Sequence, residues 1–172
     1  MGTPDITPFG TASTGQSVDK ITLRNTELTV SVITWGAALQ HLLLAGTNRS
    51  LTQGSDRLAD YEGDMRHHGT LIGPIANRIS NARITLDGMT YELERNQDGR
   101  VHLHSGAQAT HRRNWDIVTA SDSHVTLRIE LGDGECGLPG NRSVTATYRL
   151  DGATLDLTID GADEFDGDLN LI

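Results

Sequence analysis

A guanidinium, an amide and four imidazoles, placed within forty residues, stand out between His67 and Gly106, in the stretch HHGTLIGPIANRISNARITLDGMTYELERNQDGRVHLHSG. They are His67, His68, Asn77, Arg78, His102 and His104. A guanidinium presents a planar fork that holds two neighbouring oxygens at once. An imidazole titrates near neutrality, so it can give or take a proton. A fixed cationic fork beside an imidazole, with no acidic cluster nearby, suits a polar, oxygen-rich ligand better than a metal. Metal sites need three or four converging ligands at spacings set by the fold. Adjacent His67 and His68 diverge on a strand, and Asp64 with His102 and His104 would complete a ligand set only by assumption. No metal is expected.

Two short β-like runs stand between the arginine and the later histidines, Arg83 to Leu86 and Met89 to Leu93, joined by Asp87-Gly88. Asp-Gly between β-prone residues signals a hairpin, because both residues tolerate the positive φ of a type I′ turn. That hairpin would hold Asn77-Arg78 on one flank and His102/His104 on the other. Of the two later histidines, His104 is expected to serve the site, and His102 to serve structure, turned away from it. Read alone, Arg78 could equally be a surface arginine paired with a carboxylate. Trp35 and Trp115 could stack on a ligand or simply be buried at strand ends. Glu92, Glu94 and Glu130 sit at polar positions of alternating strands, and no spacing singles out a carboxylate pair for glycoside hydrolysis.

The rest of the chain supplies strands. Apolar residues alternate with polar ones at Val125, Leu127, Ile129 and Leu131, again at Val144, Ala146, Tyr148 and Leu150, and again at Leu155, Leu157 and Ile159. Period-2 alternation marks strands that bury one face and solvate the other. Asp151-Gly152 predicts a further tight hairpin. Earlier, Ile21 to Leu28 and Thr29 to Thr34 alternate loosely about a turn at Asn25. Ala37 to Leu44 follows, its three leucines suggesting burial on both faces. A single helical turn is expected over Asp56 to Tyr61, and a loop over Gly132 to Gly140. No long amphipathic helix is visible. The chain therefore reads as all-β, an antiparallel β-sandwich.

Composition agrees. Aromatic content of 4% and 19 glycines in 172 residues suit a turn-rich β protein better than a helical bundle. A formal net charge of −9 argues against nucleic acid as partner, since phosphate backbones attract basic surfaces. The single cysteine, Cys136, cannot form an internal disulfide. No apolar run approaches the roughly 20 residues that span a bilayer, and MGTPDITPFG lacks the basic and apolar regions of a signal peptide. A cytoplasmic protein with no membrane partner is expected.

Taken together, Gly73-Pro74-Ile75-Ala76-Asn77-Arg78-Ile79, then Leu86-Asp87-Gly88 with Tyr91 and Leu93, then His102-Leu103-His104-Ser105-Gly106, and Trp115 resemble the aldose 1-epimerase (galactose mutarotase) family. The family pattern runs G-R-x-A-N-R-I, L-D-G-x-x-Y-x-L, H-L-H-G-G and a tryptophan. Pro74 stands where the family has its first arginine, and Ser105 where it has the first glycine after the histidine. The resemblance implies a galactose mutarotase-like supersandwich over residues 21–172, after an extended lead-in at residues 1–20 that holds one short strand. Leu169-Asn170-Leu171-Ile172 resembles a point inside the family domain, so the sandwich is expected to be incomplete at its C-terminus.

The resemblance also implies a chemistry. Anomers of a free hexose interconvert when a proton leaves the anomeric hydroxyl and another reaches the ring oxygen; the ring opens, a bond rotates, and the ring closes on the other face. Each positioned acid or base contributes about 10²–10⁴-fold. No cofactor is required. Carried over to this sequence, Arg78 and Asn77 contact sugar hydroxyls, and His104 is the first active-site histidine, serving both catalysis and binding. The family's second histidine and its late glutamate base have no matching position. A non-catalytic or vestigial carbohydrate-binding protein is therefore the alternative to an epimerase. Uncovered strand edges are also expected to favour self-association.

Overall fold

The computed structural model describes residues 3–163. Two four-stranded antiparallel sheets carry the fold. The first takes β1 (Asp5–Thr11), β2 (Ser17–Arg24), β3 (Leu28–Ile33) and β4 (Ala38–Leu44) in sequence order. The second takes β9 (Asp116–Ala120), β10 (His124–Leu131), β11 (Arg142–Asp151) and β12 (Thr154–Asp163), likewise as a meander. Between them in sequence lie one helical turn, α1 (Leu58–Glu62), and two small ladders. One joins β5 (Arg78–Ile79) to β8 (His102–Leu103), and the other is the hairpin of β6 (Arg83–Leu86) and β7 (Met89–Glu92).

The sheets face each other because alternation puts one apolar row of each on the inside. Ile21, Leu23, Val30 and Val32 from the first sheet and Val125, Leu127, Ile129, Ala146, Tyr148 and Leu150 from the second form one buried cluster with Trp115. Tyr148 spans the layers, its buried hydroxyl donating to the Ala37 carbonyl at 2.8 Å. Burial pushes that phenol well above its ordinary range, so it stays a donor.

The turns form as their residues require. Asn25 closes β2, its side-chain oxygen accepting from the amides of Glu27 at 2.9 Å and Leu28 at 2.7 Å. Asp87 and Gly88 sit at φ +49° and +78°, the positive pair that a type I′ hairpin needs. Arg83 pairs with Glu92 across that hairpin. The second expected hairpin is shifted by one residue. Asp151 pairs with Thr154, so the link is Gly152-Ala153, with Gly152 at φ +54° in the first linking position.

Other expectations meet the structure with differences. The boundary between residues 20 and 21 falls inside β2, and residues 1–20 hold β1 and the start of β2. Leu42 and Leu43 are only half-buried and Leu44 is exposed, so the three leucines do not mark a strand buried on both faces. The loop at Gly132–Gly140 is a packed element. The buried Arg142 guanidinium donates to the carbonyls of Gly132, Glu135, Leu138 and Gly140 at 2.9 to 3.3 Å. The segment Leu169 to Ile172 lies outside the described residues. Among the described residues no helix is long and apolar enough to cross a membrane.

Candidate functional site

The site forms where the β5–β8 ladder runs out. Arg78 pairs with Leu103 and Ile79 with His102. One step further, Asn77 and His104 leave strand geometry, at φ +66° and +51°. Positive φ is uncommon outside glycine, and asparagine and histidine are among the side chains found there more often than most. The His104 amide still donates to the Asn77 carbonyl at 3.0 Å, while the Asn77 amide donates to His104 Nδ1 at 2.9 Å. Because an amide N–H can only donate, Nδ1 must carry a lone pair. The neutral ring therefore holds its hydrogen on Nε2, which has no partner among the described residues.

The reversal at His104 also explains how two histidines separate. A continuous strand would send His102 and His104 to one face. His102 remains in the strand, fully buried, with Nδ1 2.8 Å from the Glu94 carbonyl. His104 turns out of it. Ser105, also left-handed at φ +58°, locks the reversal. Its hydroxyl accepts from the Ile75 amide at 2.7 Å and donates to the Ile75 carbonyl at 2.9 Å. Gly106 follows at φ +70°, where an added Cβ would stand 2.1 Å from the Glu94 carboxylate.

Arg78 is exposed and enters no ion pair among the described residues. Its Nε donates to Gln97 Oε1 at 2.6 Å, and a longer contact of 3.4 Å runs to Asn77 Oδ1. The fork is thus steered by an amide and keeps its full charge. Asn96 supports the opposite strand by bonding both the amide and the carbonyl of Leu103, at 2.7 and 2.8 Å. Burial first, and then the Arg78 charge, push His104 below its ordinary titration range. No carboxylate contributes to that shift.

Two further rings complete the site. His67 lies 5.0 Å from His104 and 5.0 Å from His111, and His104 and His111 are 6.4 Å apart, centroid to centroid. His111 is buried, and its titration falls to about 4, through burial first and then the charges of His67, Arg112, His104 and Arg66. His67 is lowered too, again chiefly by burial. All three shifts favour the uncharged imidazole at neutral pH. Among the described residues, no group of three or more histidine, cysteine or acidic side chains is arranged to hold a metal ion.

The His111 loop is docked on the first sheet. Trp115 N–H donates to the Thr34 carbonyl and Gly36 N–H to that of Arg113, both at 2.8 Å. Gly36 is required there, since a Cβ would meet the His111 carbonyl oxygen at 2.8 Å. Trp115 Nε1 reaches the Thr110 carbonyl at 3.0 Å. That buried tryptophan braces the loop.

The sequence model of the family described as Aldose 1-epimerase matches residues 19–166. The chain belongs to the aldose 1-epimerase family. It is 36% identical over 143 residues to an aldose 1-epimerase of Escherichia coli, covering 81% of this chain and 41% of that protein. It is 33% identical over 146 residues to a galactose mutarotase of Rattus norvegicus, covering 83% and 42%. Among solved structures, the galactose 1-epimerase from Lactobacillus acidophilus superposes with a TM-score of 0.81 at 23% identity, over 95% of this chain and 49% of that one. An aldose epimerase homologue from C. elegans gives 0.77 at 26% identity, over 84% and 46%. The chain thus spans less than half the length of these relatives, and its fold is that of the galactose mutarotase-like proteins.

Within this member of the aldose 1-epimerase family, Asn77, Arg78 and His104 come together as one patch. The sequence assigns no place to Gln97 or His111, and His67 stands in it only as one of two adjacent, diverging histidines. Gln97 carried no signal beyond its position before the Asp98-Gly99 turn. His111 belongs to no motif in the sequence, and only tertiary docking brings it to His104.

Proposed function

We propose that this chain forms the sugar-holding part of an aldose 1-epimerase site and acts on a free hexose. One observation carries the reading: the Asn77 backbone amide, bonded to His104 Nδ1, leaves an Nε2–H without a partner beside an Arg78 fork that has no ion pair among the described residues. Arg78 would hold two adjacent sugar oxygens, with Asn77 Oδ1 or its amide nitrogen at a third. His104 would donate Nε2–H to an oxygen of the ring or of the anomeric carbon, and so favour the charge arrangement of ring opening. The bond at Nδ1 leaves the hydrogen of the neutral ring on Nε2, and the downward shift of its titration favours that neutral donor form. His104 does not stand there as a fixed cation.

The alternative, a binding protein without chemistry, is favoured by a specific feature. Burial and Arg78 alone shift His104, and no carboxylate among the described residues acts on it. An epimerase needs a base to take the anomeric proton. Polarimetry separates the two readings. Freshly dissolved α-galactose or α-glucose should lose optical rotation faster with the protein than in buffer, and Arg78→Ala should abolish the difference. No acceleration, with galactose binding still measurable by calorimetry, would overturn the epimerase reading in favour of binding alone.

A further inference from the structure

Of the seven histidines, all among the described residues, His67 alone is exposed. Three others spend a ring nitrogen on structure. His102 Nδ1 meets the Glu94 carbonyl, His124 Nδ1 the Ser121 hydroxyl at 2.7 Å, and His41 Nε2 the Asp56 carboxylate at 3.4 Å. The His67 ring makes no hydrogen bond and no ion pair among the described residues. It lies 5.0 Å from the His104 ring and 5.0 Å from that of His111. His111 is buried, so a ligand meets this cluster through His67 and the half-buried His104. Burial first, and then His104, Arg66, Arg112 and His68, all disfavour a proton on His67, and no carboxylate acts to hold one there. Its free form is therefore a neutral imidazole with a nitrogen lone pair to offer.

Ring opening asks for such a group. His104 presents a donor, Nε2–H, and the carboxylates that could serve as base stand away from it. We propose that His67 is the proton acceptor of this site, taking the hydrogen of the anomeric hydroxyl while His104 faces the ring oxygen. The proposal rests on the epimerase reading and supplies the base which that reading needs. The step balances within the pair of rings. The O–H bond of the anomeric hydroxyl breaks, and its proton joins the His67 lone pair. The electron pair left on that oxygen forms the carbonyl bond at the anomeric carbon. The bond from this carbon to the ring oxygen breaks, its pair staying on the ring oxygen. His104 Nε2–H stabilises the charge that develops there, and the His67 imidazolium returns the proton to it. Both oxygens are carried by one carbon, so one imidazole can serve each in turn. Rotation and the reverse sequence close the ring on its other face.

Polarimetry of freshly dissolved α-galactose, with calorimetry beside it, tests the assignment in the parent chain, His67→Gln and His67→Ala. His67 is exposed, so neither substitution opens the core. The catalysed rate should fall about 10²-fold in both variants, the loss expected of a positioned base, while galactose affinity stays within about twofold. Added imidazole should restore His67→Ala above the rate of imidazole in buffer. That rescue should grow as pH rises through imidazole's own titration, because only the neutral ring accepts a proton. An active parent with an equally active His67→Gln would overturn the role of His67 and leave the epimerase reading standing. A loss that imidazole does not repair would reduce His67 to packing against His104 and overturn it as well. A parent that binds galactose without acceleration would bring down the epimerase reading, and the base with it.

Discussion

The Asn77 amide donates to His104 Nδ1 at 2.9 Å, and the His104 amide returns a bond to the Asn77 carbonyl at 3.0 Å. This reciprocal pair fixes both the orientation of the ring and the nitrogen that carries its hydrogen. It needs both backbones in the left-handed region, at φ +66° and +51°. A residue without asparagine's tolerance there costs about 1–2 kcal/mol. Asn77→Ala should therefore lower stability in urea by about 1 kcal/mol, and Asn77→Gly should recover most of it while still losing sugar affinity. An alanine variant as stable as the parent would show that the strain is not where the geometry puts it.

Gln97 aims Arg78, its side-chain oxygen accepting from Nε at 2.6 Å. Hydrogen bonds to charged groups contribute about 1.5–3 kcal/mol, yet this pair is exposed, so water replaces much of the loss. Gln97→Ala should weaken galactose binding several-fold, and Arg78→Ala should weaken it more. Equal losses in the two variants would mean that Arg78 acts only through the position Gln97 gives it.

The histidine cluster makes acid destabilising. His111 titrates near 4 in the fold against an ordinary 6.5, so between those values the unfolded chain binds more protons than the folded one. Stability then rises with pH across that window and falls on acidification. His67 and His104 are shifted the same way and add to the slope. Urea midpoints should drop between pH 7 and pH 5, and the drop should be smaller in His111→Gln. An unchanged slope in that variant would place the acid sensitivity elsewhere.

How much of this was legible beforehand follows from how local each signal is. The Asp87-Gly88 hairpin and the alternating strands β10, β11 and β12 depend on neighbours in sequence, and their residues announced them. The proximity of Asn77 to His104 follows from the short β5–β8 ladder that the motif residues form. The separation of His102 from His104 was not readable from alternation, because positive φ at His104 and Ser105 breaks the period. Nor could the sequence bring in His67 or His111. Their meeting depends on Gly36 admitting the His111 backbone, a contact between residues 75 positions apart.

The second sheet exposes part of its core face. Leu157 and Ile159 pair in register with Tyr148 and Ala146, which are buried, yet are themselves 43% and 51% exposed. Among the described residues β12 pairs with β11 alone. An edge strand with an apolar row invites pairing with another copy. Sedimentation should show the 172-residue chain associating with rising concentration, and Leu157→Lys/Ile159→Lys shifting it toward monomer. A parent chain that stays monomeric at high concentration would contradict the proposal.

His104 is proposed to offer Nε2–H to a sugar beside Arg78. Long-range ¹H–¹⁵N correlation spectra of the histidine rings test it most directly, recorded at pH 7 during a galactose titration. His104 should be neutral and protonated at Nε2, with its ring signals moving as galactose is added and staying still in Arg78→Ala. A ring protonated at Nδ1, or one that ignores galactose while the sugar binds, would contradict it.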